Sequence, residues 1–253
     1  MAECIHGFDE GLCDICYPRT APEPVRAVRT STIRETRTTR ASTPRVAGVV
    51  SAPPSLKLPG RRVFHVTHVR TLESIALDGA LRADAVPDVD VSSATTRELR
   101  ATATVPDGRA VAEFVAFALA QDSTRWEQLR DGAEGAHWSD AARAARPTEF
   151  VLLAVPVDAL GADLVFADGD SGASGTRFAA GLDAGTAALR RLHASDPDFR
   201  DAELLAAGPV PLDAVAIVTV ANDRVRDEVR TLFANAGLPA PRIAVYPPLF
   251  QSA

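Results

Sequence analysis

Lysine is nearly missing from this chain: Lys57 is the only one, and every other basic side chain is arginine. That bias points to a GC-rich coding sequence rather than to a function. Cysteine is scarce and confined to Cys4, Cys13 and Cys16. An odd number so placed excludes a disulfide framework for the body of the chain and argues for metal instead. No run of 18 apolar residues exists, which excludes a transmembrane helix. The opening MAECIHGFDEG has neither the positive nor the apolar segment of a signal peptide, so the expected location is the cytoplasm. There is no internal repeat, no Walker loop and no G-x-G-x-x-G, which excludes the commonest phosphate-cradling turns.

What is present is enough to fold. The chain has 253 residues, 46% of them hydrophobic, sufficient for one large domain with a small appendage. Its net charge of −6 is unevenly spread. Residues 1–16 carry four acids and no Lys or Arg, whereas residues 17–62 carry nine Arg and Lys57 against Glu23 and Glu35. A basic segment joined to an acidic domain is an asymmetry that points toward nucleic acid.

Three stretches follow from this. In residues 1–17, Cys4-x-His6 and Cys13-x2-Cys16 supply three thiolates and an imidazole, the number that a tetrahedral structural zinc takes. So small a unit cannot bury a core, and the metal would supply its folding free energy. The other reading is a disordered N-terminus with incidental thiols. Residues 18–60, rich in Pro, Thr, Ser, Ala and Arg, have no apolar period and read as a basic linker. It is either a flexible arm along a phosphate backbone or a plain tether, since no aromatic residue is interleaved for base stacking. Residues 61–253 are the folded domain.

That domain opens on RVFHVTHVRTLESIALDGALR. Val63 to Thr67 reads as a short strand with His65 and Thr67 on one face. Leu72, Ile75 and Ala76 then recur at helical spacing, and Gly79 closes the helix. Taken alone, this is also an ordinary strand–helix unit with a satisfied histidine. Gly108 to Gln121 predicts a helix on the stripe Val111, Phe114, Val115, Ala118 and Leu119. Gln121 to Arg146 reads as polar helix or loop. Glu149 to Val157 is nearly all apolar and predicts a buried central strand. Strands are expected at Leu164–Ala167, Ala202–Ala206, Ala214–Val220 and Arg242–Tyr246. Helices are expected at Asp183–His193 and Asp223–Asn235, and a loop at Asp168–Gly175. Strands outnumber helices without alternating with them, so the fold class is α+β.

Glu203 begins one of those late strands, which puts its carboxylate at a sheet end. His65-x-Thr67 on an early strand and a Glu opening a late one are parts that ADP-ribosyl transfer needs. The carboxylate can hold a ribose hydroxyl while positive charge develops on the sugar. From about residue 62 to 250 the domain resembles the DarT family, bacterial toxins that ADP-ribosylate DNA. The resemblance rests on FHVTHVRTLESIALDGAL, RELRATATV, GRAVAEFVAFAL, RDAELLAAGPVPLDAVAIVTVAN and DRVRDEVRTLFANAGLPAPRIAVYPPLF, in family order. The chain departs from the family at Arg70-Thr71, where an Asn is usual, and at Phe117–Trp126, where a Pro-rich aromatic segment is usual.

The resemblance implies an ADP-ribosyltransferase-like α+β fold with a central split sheet flanked by helices. It implies NAD as substrate, bound by His65 and Thr67, with Glu203 catalytic. Arg100 would stabilise the NAD phosphates or an ionised base, and Arg200 would support the site or the substrate strand. The expected acceptor is single-stranded DNA, with RNA the alternative, and an antitoxin with ADP-ribosyl hydrolase activity is an implied partner. No membrane is involved. Rival readings are an RNA- or protein-directed ADP-ribosyltransferase, or a zinc-containing nucleic-acid-binding module without chemistry. For the cysteine unit, metal analysis of protein purified without added metal should find about one zinc per chain. The Cys13→Ser, Cys16→Ser double variant should lose it.

Overall fold

The computed structural model describes residues 56–252. Cys4, His6, Cys13 and Cys16, and the linker up to residue 55, lie outside the described residues. The folded body begins earlier than composition suggests. Leu58 is fully buried, its amide donates to Thr186 Oγ1 at 3.2 Å, and the Leu56 carbonyl receives Arg190 Nε at 3.1 Å. Residues 56–60 therefore belong to the body and not to the linker. Gly185 makes this seat, because a Cβ there would stand 2.7 Å from Leu58 Cδ1.

In chain order the first half comprises β1 (Arg62–His68), α1 (Val69–Asp78), β2 (Ala80–Leu81), α2 (Ala94–Thr102), β3 (Phe114–Ala118), α3 (Thr124–Arg130), α4 (Asp140–Ala144) and β4 (Phe150–Pro156). The second half comprises β5 (Leu164–Ala167), β6 (Phe178–Ala180), α5 (Leu182–Leu192), β7 (Glu203–Ala207), β8 (Val210–Pro211), β9 (Ile217–Val220), α6 (Asp223–Asn235) and β10 (Arg242–Val245). Local chemistry sets several of these boundaries. His68 Nδ1 accepts the amide of Arg70 at 3.1 Å and caps α1, and Gly79 closes it in the left-handed region at φ 71°. Asn222 caps α6 by accepting from the Val225 amide, and Val225, Val229 and Phe233 turn its buried face inward.

Eight strands form one sheet in the order β10-β9-β4-β1-β3-β7-β5-β6, antiparallel except for β10 beside β9. β2 and β8 make a small second ladder. The fold is mixed, with a large, mostly antiparallel sheet. β4 is central and fully apolar, as its sequence requires. Alternate residues of β1 face different cores. Val63 joins the larger one, with Leu72 of α1, Leu189 of α5 and Val229 of α6, whereas Phe64 and Val66 pack with Trp126, Phe150 and Phe250.

The helix expected over Gly108–Gln121 does not form. Val111–Glu113 is a single 3-10 turn, and Phe114–Ala118 is the strand β3. Both faces of β3 are covered: Val115 and Phe117 belong to the larger core and Phe114 to a third cluster with Val165 and Leu205. A strand buried on both faces is apolar at every position and loses its period of two, so its run can imitate a helical stripe.

Leu58→Ala should destabilise the domain by about 2–5 kcal/mol, the range for emptying a buried leucine site. Urea unfolding of the full chain measures it, and a loss below about 1 kcal/mol would mean that the segment only lies on the surface.

Candidate active site

The sheet is not uniformly closed. β1 pairs with β4 along its length, from Arg62↔Pro156 to His68↔Phe150, but with β3 it registers only at Phe64↔Ala118. Beyond that pair, His65 bridges the two strands by its side chain, with Nδ1 3.0 Å from the Ala116 carbonyl oxygen. A carbonyl only accepts, so Nδ1 carries the proton and Nε2 presents a lone pair. The ring meets Phe117 edge-on, with centroids 5.7 Å apart. Burial pushes the imidazole below its ordinary pKa, and the positive charges of Arg100 and Arg125 push the same way, against the Ala116 hydrogen bond. His65 is thus a neutral acceptor held in an opening between strands. Thr67 is buried two residues further along the same strand face.

Glu203 stands two strands away from β1, at the start of β7. Across the sheet Phe64 pairs with Ala118, Ala118 with Glu203, and Glu203 with Ala167, so all four side chains share one face. Both cross-strand neighbours of Glu203 are alanines. The residue is 8% exposed, and its charge is met by named donors. Ser171 gives Oε2 both its amide, at 3.1 Å, and its hydroxyl, at 2.5 Å. Arg100, from α2, donates Nη1 to Ser171 Oγ at 3.0 Å and lies 3.7 Å from Glu203 Oε2. The structure therefore brings Glu203 and Arg100 together, and the charge of Arg100 also reaches His65.

Arg200 is placed differently. Its guanidinium forms an ion pair with Glu127 of α3 and donates to the Asp122 carbonyl at 3.1 and 3.2 Å. With the Thr124 amide on the Arg200 carbonyl at 3.0 Å, it ties the start of α3 to the approach to β7. That is an anchor within the chain, made by the side chain expected to meet substrate.

Two residues were not legible as site residues. Ser171 stands in the loop DGDSGASG, which carries no periodic signal. Arg125 stacks on Trp138 at 4.8 Å, donates to Ser92 Oγ at 3.3 Å, and adds its charge to the field at His65. Among the described residues no group of three or more His, Cys, Asp or Glu is placed to hold a metal ion. No described helix is long and apolar enough to cross a membrane.

An opened, mostly antiparallel sheet with a neutral histidine in the gap and a buried carboxylate on the next wing is an ADP-ribosyltransferase arrangement. Solved structures share the fold. Thermus sp. 2.9 DarT in complex with ADP-ribosylated ssDNA is similar at a TM-score of 0.64 and 21% identity, covering 76% of this chain and 97% of that one. Thermus sp. 2.9 DarT in complex with NAD+ gives 0.60 and 21%, covering 76% and 98%. Thermosipho africanus DarTG in complex with ADP-ribose gives 0.56 and 15%, covering 75% of this chain and 51% of that one. No curated protein matches the sequence. The family described as ssDNA thymidine ADP-ribosyltransferase, DarT, matches residues 64–251, and the chain belongs to it. Its family is thus that of ADP-ribosyltransferases acting on thymidine in single-stranded DNA.

Burial of His65 has a consequence for stability. Its folded pKa lies below its ordinary value near 6.5, so below that pH the unfolded chain binds more protons. His68, lowered mainly by burial, adds in the same direction. Stability present above about pH 6.5 should fall as the pH drops from there toward the lower folded value. Urea midpoints of wild type and His65→Gln over about pH 5–7.5 should show a flatter profile for the variant.

Proposed function

We propose that the chain transfers ADP-ribose from NAD to thymine in single-stranded DNA, with His65, Thr67, Arg100 and Glu203 as the working residues. The observation that carries this reading is the Glu203–Ser171–Arg100 cluster, whose arginine also adds its charge at His65, in a chain of this family. His65 Nε2 takes a ribose hydroxyl, and Thr67 supports the nicotinamide side of the pocket.

The bond between ribose C1′ and the nicotinamide nitrogen breaks, its electron pair leaves with nicotinamide, and positive charge spreads over C1′ and the ring oxygen. Glu203 stabilises that charge from a site with little water, where a preoriented carboxylate acts strongly. Thymine in a nucleoside keeps one ring N–H, at N3. That nitrogen attacks C1′ as its proton passes to the carboxylate. Arg100, beside Glu203 and unable to take up the proton, stabilises the base as it becomes anionic. Arg200 serves the site indirectly, by holding α3 through Glu127.

A base in single-stranded DNA needs no unpairing, so single strands fit the reaction better than duplex. An adduct at N3 lies on the pairing edge and would stop templated synthesis. That chemistry suits a toxin or defence effector acting in the cytoplasm, opposed by a partner that hydrolyses the adduct. The basic linker suits contact with the DNA backbone, which the salt dependence of binding would reveal.

Labelled NAD with single-stranded oligonucleotides, thymine-containing and thymine-free, tests the reading. Transfer should require thymine, and Glu203→Ala should lower the rate by about a hundred- to a thousandfold with the fold intact. Transfer to RNA but not DNA would establish the RNA-directed alternative. Equal behaviour of wild type and variant would remove Glu203 from the mechanism.

A further inference from the structure

Ser171 is fully buried although it lies in a loop whose other residues are largely exposed. The loop joins β5 to β6 and folds back over the end of β7. It is internally braced: Asp168 accepts the Arg177 amide at 2.8 Å and Nε at 2.7 Å, and Asp170 Oδ1 accepts the Gly172 amide at 2.8 Å. The Asp170 carbonyl takes Thr176 Oγ1 at 2.6 Å and the Ala173 amide at 3.0 Å. Gly172 lies against Arg100 so closely that a Cβ would stand 3.3 Å from Arg100 Cγ. The loop thus touches both charged residues of the site.

The hydrogen-bond directions leave one arrangement. Arginine only donates, so Ser171 Oγ accepts from Arg100, and its own hydrogen must point to Glu203. The Ser171 amide goes to the same carboxylate oxygen, Oε2. Among the described residues every hydrogen bond to this carboxylate ends on Oε2, which leaves Oε1 for substrate.

We infer that Ser171 is a positioning residue for ADP-ribosyl transfer, presented by the braced β5–β6 loop to fix the rotamer of Glu203 and its separation from Arg100. This rests on the catalytic reading of Glu203. Ser171 touches no substrate; it determines which oxygen does. A carboxylate free to rotate would spend much of its time off the ribose and the attacking base, and misplacement of that kind slows the chemical step more than it weakens binding.

The test measures kcat and KM for NAD on a thymine-containing single strand, at a temperature well below each variant's melting point. Ser171→Ala should lower kcat by about ten- to a hundredfold, while KM for NAD stays within about threefold of wild type. Ser171→Cys, which fills the same space with a weaker donor, should fall between. A Ser171→Ala kcat within about twofold of wild type, or a loss confined to KM, would overturn the inference. If Ser171→Ala does not fold, Ser171→Cys decides: a reduced kcat with unchanged KM supports the role, and a wild-type kcat refutes it. Glu203→Ala, run alongside, separates the two levels. An active Glu203→Ala refutes the reading of Glu203 itself. An inactive Glu203→Ala beside a fully active Ser171→Ala refutes only the role of Ser171.

Discussion

A carboxylate taken out of water must find donors or lose its charge. Glu203 is in that position, 8% exposed at the start of a buried strand, and much of the surrounding structure answers the requirement. The β5–β6 loop folds inward to deliver Ser171, and α2 delivers Arg100 behind it. Its cross-strand neighbours, Ala118 and Ala167, add little bulk beside it. In the proposed reaction, the donors that make its burial tolerable also hold its charge in place for a developing oxocarbenium ion.

The second constraint is the gap in the sheet. A continuous ladder from β1 to β3 would satisfy their backbones and close the gap. One registered pair holds the wings together, and His65 supplies a side-chain hydrogen bond to Ala116 beyond it. That bond also fixes the tautomer, so the histidine is a structural tie on one nitrogen and presents a lone pair on the other. The core beneath tolerates the opening because β1 is fully paired with β4 and β3 is fully paired with β7.

Much of the fold was legible in the sequence where one signal acted alone. The strand at Val63–Thr67, the glycine stop at Gly79, the apolar run of β4 and the capped helix from Asp223 to Asn235 lie where pattern and turn chemistry put them. Elsewhere the local signal misleads. FVAFA imitates a helical stripe because burial on both faces erases its alternation. Leu56 and Leu58 resemble linker because two apolar residues among prolines give no period, although Gly185 and Thr186 of α5 make a seat for Leu58. Arg200 carried a charge whose partners, Glu127 and the Asp122 carbonyl, were invisible until the chain folded.

Local features of the chain define the class of the protein: an α+β body, and the order of His65, Thr67, Arg100 and Glu203 along it. Those features are local in the chain, so propensity and motif order carry them. Which of them meet depends on the folded chain. Glu203 pairs across the sheet with Ala118, 85 positions earlier, and takes its donors from Ser171, 32 positions earlier. Contacts at such separations depend on register and loop geometry, and a one-residue slip would turn Glu203 to the other face of the sheet.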